Sequence, residues 1–199
     1  FKEENGVRIY QIPAADAVID PHQKDCNYPY KELCGAGVAY KLVRVLLEEL
    51  EIDPAKAEYL IENVAIATIG DVVNLTGENR IFVRTGLEML KKTKNEGLKA
   101  LFECTGIDVE NLNTYHIGFV IGPCINACGR LDTAKRALEL LNAPGRREAV
   151  MMAEDLKALN ESRKEMTEKG VERAVEMIET SVLKKDSVLV VYLPDCHES

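Results

Sequence analysis

The sequence predicts an α/β chain that is mostly helical. Three observations carry that expectation. Two short apolar runs read as buried strands, several stretches space their apolar residues as helices do, and a long charged stretch from Arg146 to about Ser181 contains no proline.

Ala17–Asp20 is a short apolar segment halted by Pro21, and reads as the end of a buried strand. A polar, turn-rich stretch follows from His22 to Tyr30, with Pro29 forcing an extended approach. Gly35 and Gly37 then open a segment in which Val38, Leu42, Val45, Leu46 and Leu50 share one face, as in an amphipathic helix. Asp53-Pro54 joins a capping carboxylate to a proline at the first helical position, so another helix starts there. Asn63–Val73 is nearly all apolar and small, and is expected to be buried on most sides. Gly77–Lys92 reads as a helix with Ile81, Leu87 and Leu90 inward, and a further helical stretch around Glu96–Cys104 precedes a polar loop to Asn113. Tyr115–Ile121 is apolar and runs into Gly122-Pro123, a breaker pair. Asp132 is placed to cap a helix to Leu141, which Pro144-Gly145 ends.

From Arg146 onward there is one glycine, Gly170, and a thin apolar stripe that includes Val150, Leu156, Leu159, Met166, Val171, Val175 and Ile178. Such a helix spans about 50 Å at roughly 1.5 Å per residue. Its narrow stripe suits a partly solvated connector lying against a domain. Ser187–Leu193 then reads as a new strand.

Composition bounds the function. The 199 residues carry Lys+Arg 25 against Asp+Glu 33, a formal charge of −8, with 46% hydrophobic residues, a globular mixture that excludes disorder and collagen-like structure. No apolar run approaches the roughly 20 residues that span a bilayer, and Phe1–Tyr10 carries charges where a signal peptide keeps its apolar core. A chain opening on Phe1 is expected to be a piece of a longer one. Six cysteines without a C-x-x-C pair fit free thiols in a reducing cytoplasm; His22, Cys26 and Cys34 lack the second ligand pair that zinc requires. Net acidity argues only weakly against nucleic acid, because binding depends on where the cations lie.

Three segments hold candidate chemistry. Asp71, within Ile69-Gly70-Asp71-Val72-Val73, is flanked by apolar residues. It reads as a helix cap or buried hydrogen-bonded carboxylate, or as a ligand for a hard cation such as Mn²⁺ or Mg²⁺. The block from Gly122 to Leu131 combines small residues with Arg130, which can grip phosphate bidentately; a tight turn with a surface arginine is the plainer reading. Arg80–Lys99 carries Arg80, Arg84, Lys91, Lys92, Lys94 and Lys99 against Glu88 and Glu96, either a solvated face or a track for a phosphate backbone.

Several blocks in order carry a resemblance that none carries alone. They are Ala17-Val18-Ile19-Asp20-Pro21, Tyr28-Pro29-Tyr30-Lys31, Leu33 through Leu42, Ala67 through Val73, Gly77-Glu78-Asn79-Arg80, and Gly122 through Leu131. Together they resemble the RecJ-type single-strand-specific exonucleases of the DHH phosphoesterase superfamily, over essentially the whole chain. The resemblance implies the C-terminal part of a DHH-type parallel-sheet domain with a helical extension over 1–145. A connector helix over 146–185 and the first strand of a DHHA1 domain over 186–199 would follow. It implies hydrolysis of phosphodiesters by two divalent ions, Mn²⁺ or Mg²⁺, with Asp71 as one metal ligand and most ligands upstream of Phe1. It places Arg130 near the substrate phosphate and Asn126 in the same wall, while Cys124 stands where family members usually have arginine. Single-stranded DNA is the implied partner, with a single-strand binding protein or helicase as further ones and no membrane. The alternatives are a phosphodiesterase for oligonucleotides or cyclic dinucleotides and a catalytically dead scaffold of the same fold. By itself, this length of chain is expected to be inactive.

Overall fold

A computed structural model describes the backbone of residues 2–4, 7–9, 12–131, 134–181 and 187–194. The chain divides into two compact units, Phe1–Gly86 and Leu87–Ser199.

The first unit opens with a two-stranded antiparallel ribbon, β1 (Lys2–Glu4) and β2 (Val7–Ile9), in which Lys2 faces Ile9 and Glu4 faces Val7. This ribbon is the only sheet among the described residues. Ala17–Asp20, expected as a buried strand, is irregular, and Ile19 is 57% exposed. A buried strand needs hydrogen-bonded neighbours, and no described strand pairs with this one, so the expected parallel sheet does not appear here.

Helix α1 (Gly35–Glu49) forms where its glycines and apolar spacing place it. Its inward face differs from the expected one. Tyr40 is buried and packs edge-to-face on Phe82, ring centroids 5.5 Å apart, in a core with Ala57 and Val64; Leu33, Val43 and Leu47 lean on it. Leu42, Val45, Leu46 and Leu50 are exposed. Apolar residues occupy more than one face of α1, so spacing alone does not select one, and the aromatic ring with the most area to bury takes the core. After α1, the Asp53 carboxylate accepts from the Ala55 amide at 2.9 Å and starts a 3₁₀ turn, Pro54–Leu60, that runs into α2 (Ile61–Gly70). Helix α3 (Gly77–Leu90) lies so close to α2 that a Cβ on Gly86 would collide with Ala65 and with the Ile61 carbonyl. Ile81, expected inward, is exposed; its neighbours Phe82 and Val83 are buried instead.

Gly77 has φ +45°, and a Cβ there would sit 2.6 Å from the Tyr30 ring. Gly77→Ala is therefore expected to lower stability by about 1–2 kcal/mol, because an L-residue pays for left-handed backbone and the ring must also move. Chemical denaturation monitored by circular dichroism measures it; an unchanged midpoint would contradict the packing of Tyr30 on this turn.

The second unit is helical. Asn95 caps α4 (Glu96–Thr105) by accepting from the Leu98 amide at 3.0 Å, and Gly106, at φ 72°, closes it in left-handed conformation. A 3₁₀ turn at Val109–Asn111 leads to α5 (Thr114–His116), a π-helical turn (Ile117–Ile121) and α6 (Gly122–Leu131) without interruption. Gly122-Pro123 thus does not break the chain. Pro123 leaves one carbonyl of the preceding turn without its amide, and the wider π turn just before it absorbs the change of pitch. Next come α7 (Lys135–Leu141) and α8 (Arg146–Glu179), whose 34 residues span about 51 Å. The capping role expected of Asp132 lies outside the described residues.

Leu98, Leu101, Phe102, Ile117, Ile121, Leu140 and Leu156 form the buried side of this unit, with Ala149 and Ala153 on α8 admitting close approach. Beyond Asn160, Met166, Val171, Val175 and Met177 of α8 are exposed, while Ala174 and Ile178 are half-buried. Ser187–Leu193, expected as a strand, has no pairing among the described residues, and Val188, Val190 and Tyr192 face solvent. No described helix is long and apolar enough to cross a membrane.

Candidate functional site

Asp71 is the C-terminal cap of α2. Its amide donates to the Ala67 carbonyl at 2.8 Å and the residue is exposed. The next residue, Val72, has φ +54° while 88% exposed. Left-handed backbone costs an L-residue roughly 1–2 kcal/mol, and burial returns none of it at Val72. Strain of this kind concentrates where a loop serves something other than stability.

The loop after Asp71 is pinned at two carbonyls. Buried Asn79, on α3, donates its Nδ2 to the Asn74 carbonyl at 3.0 Å and to the Glu32 carbonyl at 2.7 Å. The Tyr30 hydroxyl donates to the Thr76 carbonyl at 2.8 Å. Behind the loop, the buried Thr68 hydroxyl donates to the Val64 carbonyl at 2.6 Å and lies 3.4 Å from the Cys34 thiol.

A charged cluster joins three further segments. Lys41 on α1 is ion-paired with Glu78 on α3; the Tyr28 hydroxyl donates to Glu78 Oε1 at 2.6 Å, and Lys41 Nζ stands 5.3 Å from the Tyr28 ring centroid. Burial works to lower the Lys41 pKa, but the bonds to Glu78 and Tyr28 outweigh it and the pKa rises. Burial likewise pushes Glu78 up, and its bonds to Lys41 and Tyr28 overcome this to hold it below its ordinary value of 4.5. Stability from Glu78 is thus fully present above that value and lost as pH falls through the lower folded pKa. Stability from Lys41 is present below 10.5 and lost as pH rises through its raised pKa. Because Lys41 is more than a third exposed, Lys41→Met is expected to cost only about 0.5–1 kcal/mol at neutral pH and to flatten the acid limb of the stability profile. Urea unfolding across pH 3–8 measures both; an unaltered acid limb would remove the pair from the account. Beside this cluster lies a groove of about 680 Å³, lined by Val18, Ile19, Leu33, Leu42 and Val45 among others.

The donor set does not build a metal centre by itself. Among the described residues, no group of three or more His, Cys, Asp or Glu side chains is arranged to hold an ion. Asp71 offers one carboxylate, and no catalytic step through a metal follows from these residues alone.

In the second unit Asn126 is exposed on α6, while Cys124 and Ala127 on the same helix are buried. The Arg130 side chain lies outside what is described. Asp71 and Asn126 belong to different units. The basic run is only partly free: Lys91 pairs with Glu88 and Lys99 with Glu96, each at 2.8 Å, while Arg80 and Arg84 lie exposed one turn apart on α3. Residue type flagged Asp71 and Arg130; no pattern flagged Tyr28, Lys41, Glu78 or Asn79, although all four fall within the blocks that carry the resemblance.

No family model matches the chain. It is 38% identical over 180 residues to the single-stranded-DNA-specific exonuclease RecJ of Bacillus subtilis, covering 90% of this chain and 22% of that protein. Against Escherichia coli RecJ it is 35% identical over 201 residues, 94% of this chain and 35% of the relative. A crystal structure of exonuclease RecJ bound to manganese superposes with TM-score 0.75 at 30% identity, over 86% of this chain and 43% of that one. The chain belongs to the RecJ family. Thermus thermophilus RecJ, solved with Mn²⁺, gives TM-score 0.69 at 30% identity, over 87% of this chain and 25% of that one. The chain therefore spans between about a fifth and two-fifths of the RecJ proteins it matches.

Cys124, where the resemblance implies arginine, is packed into the interior. Cys124 is 2% exposed, accepts from Asn160 Nδ2 at 3.7 Å, and burial pushes its thiol pKa up. In this chain the position is an interior one facing α8, filled by a small apolar side chain.

Proposed function

We propose that this chain is the portion of a 5′→3′ single-stranded-DNA exonuclease that carries one metal ligand, Asp71, and a strand-contacting helical unit. The reading rests on 35–38% identity, over 90% or more of the chain, to relatives named as single-stranded-DNA-specific exonucleases. In it Asp71 supplies one carboxylate to a Mn²⁺ or Mg²⁺ site that other residues complete, the metals being those bound in solved RecJ structures. The strained, doubly pinned loop after Asp71 supports that role, since a ligand must be held at fixed distance from its ion. Arg130 and Asn126 on α6 contact substrate, α8 connects the parts of the enzyme, and 186–199 begins a further domain. Single-stranded DNA is the substrate, in DNA repair and recombination, and free thiols at Cys26, Cys34, Cys104 and Cys124 fit a reducing cytoplasm.

A chimera tests this. The chain should replace the matching segment of Bacillus subtilis RecJ and yield an enzyme that degrades 5′-labelled single strands with Mn²⁺ and leaves duplex intact. The isolated chain should show no nuclease activity under the same conditions. A folded chimera without activity, or a purified isolated chain that cleaves, would overturn the proposal.

A further inference from the structure

On the helix that runs from Thr114 to Leu131, buried residues recur as Ile117, Ile121, Cys124 and Ala127, which turns Tyr115, Phe119 and Asn126 outward. Tyr115 is 61% exposed and Phe119 is 69% exposed, yet the two rings stack on each other, centroids 5.1 Å apart and planes 26° from parallel. His116 closes the other edge of Tyr115, 5.9 Å away and edge-on. The platform is held at its root: Asn113 Oδ1 accepts from the Tyr115 amide at 3.0 Å, and its own amide donates to His116 Nδ1 at 3.2 Å, a reciprocal cap. Phe119 sits at the centre of the π-helical turn, a rare element that gathers at functional sites.

Two large, nearly parallel rings left in water, on the face that continues to Asn126, do not serve this unit's core. We propose that Tyr115 and Phe119 form a stacking platform for one base of a single strand, with Asn126 further along the same face toward the phosphate contacts. This deepens the exonuclease reading and rests on it. A flat π surface is sequence-tolerant, because every base has a π face, and it rejects duplex, whose bases are already stacked. A protein segment docked on the same spot would be satisfied by any apolar side chain; a base requires the ring.

The test uses this chain and an oligodeoxythymidylate bearing a single 2-aminopurine, followed by anisotropy and by 2-aminopurine fluorescence at low salt. Wild type should bind and quench the fluorophore. The double variant Tyr115→Leu/Phe119→Leu, apolar but without rings, should bind about 5- to 150-fold more weakly and lose the quench. The variant Phe119→Tyr, which keeps the ring, should behave as wild type. Binding and quenching by the leucine variant equal to wild type would overturn the platform and leave the exonuclease reading intact. Absence of any binding by the wild-type chain would overturn the platform and count against the strand-contacting role proposed for this unit.

Discussion

Phe102→Ala is expected to lower the stability of the second unit by about 3–5 kcal/mol, the largest effect of a single side-chain truncation among the described residues. Phe102 lies on α4 at 1% exposure and heads the fully buried side chains by volume. Gly97, on the same helix, lies so close to the Leu140 carbonyl that a Cβ would overlap it, and Ala149 and Ala153 are fully buried on α8. A close-packed interior relaxes only partly around a deleted side chain, so part of the void remains. Against the 5–15 kcal/mol that holds a typical domain together, the loss is a third or more. Phe102→Leu keeps most of the volume and should cost less than half as much. Thermal melts of both variants, followed by far-ultraviolet circular dichroism, decide it; equal melting temperatures for Phe102→Ala and wild type would place the core elsewhere.

Helices were legible wherever a local signal set their ends. Asp53-Pro54 starts its turn by the capping bond that the dipeptide implies, and the proline-free stretch from Arg146 is one helix to Glu179. Faces were less legible. Apolar residues surround much of α1, so which of them meets the core depends on the partner, and the partner is Phe82, some forty residues on. The strands expected at Ala17–Asp20 and Ser187–Leu193 failed for a related reason. A strand is stabilised by its neighbours, and apolar composition says nothing about whether a neighbour is there. At the site, Asp71 announced itself as a carboxylate among apolar residues. The cluster of Tyr28, Lys41 and Glu78 did not, because Tyr28 and Glu78 meet across fifty positions and no local period connects them. The aromatic platform was hidden by Gly122-Pro123: reading that pair as a break cut Tyr115 and Phe119 off from Asn126, and the continuous helix restores them to one face.

Asp71→Ala, in the chimera with Bacillus subtilis RecJ, is expected to reduce Mn²⁺-dependent cleavage of single strands by at least about 100-fold while leaving the fold untouched. The two halves of that expectation have separate grounds. Asp71 is exposed, and its one structural bond, from its amide to the Ala67 carbonyl, belongs to the backbone and survives the substitution. Asp71 caps α2 through its backbone, so removing its exposed side chain is a surface change and stays within about 0.5 kcal/mol. The loss of activity follows from its proposed place as a metal ligand, and calorimetric titration of Mn²⁺ should show weaker or fewer bound ions in the variant, a readout independent of turnover. Asp71→Asn should lose binding too, since an amide oxygen carries no net charge to offset a divalent ion. Val72→Asn supplies the opposite control. Asparagine tolerates left-handed backbone, so this variant should gain about 0.5–1 kcal/mol at φ +54° and keep the loop in place for cleavage. Asp71→Ala that cleaves and binds Mn²⁺ as wild type does would remove the carboxylate from the metal site. A Val72→Asn variant that is stabilised but inactive would instead show that the valine side chain, and not merely the bend it forces, is what the reaction needs.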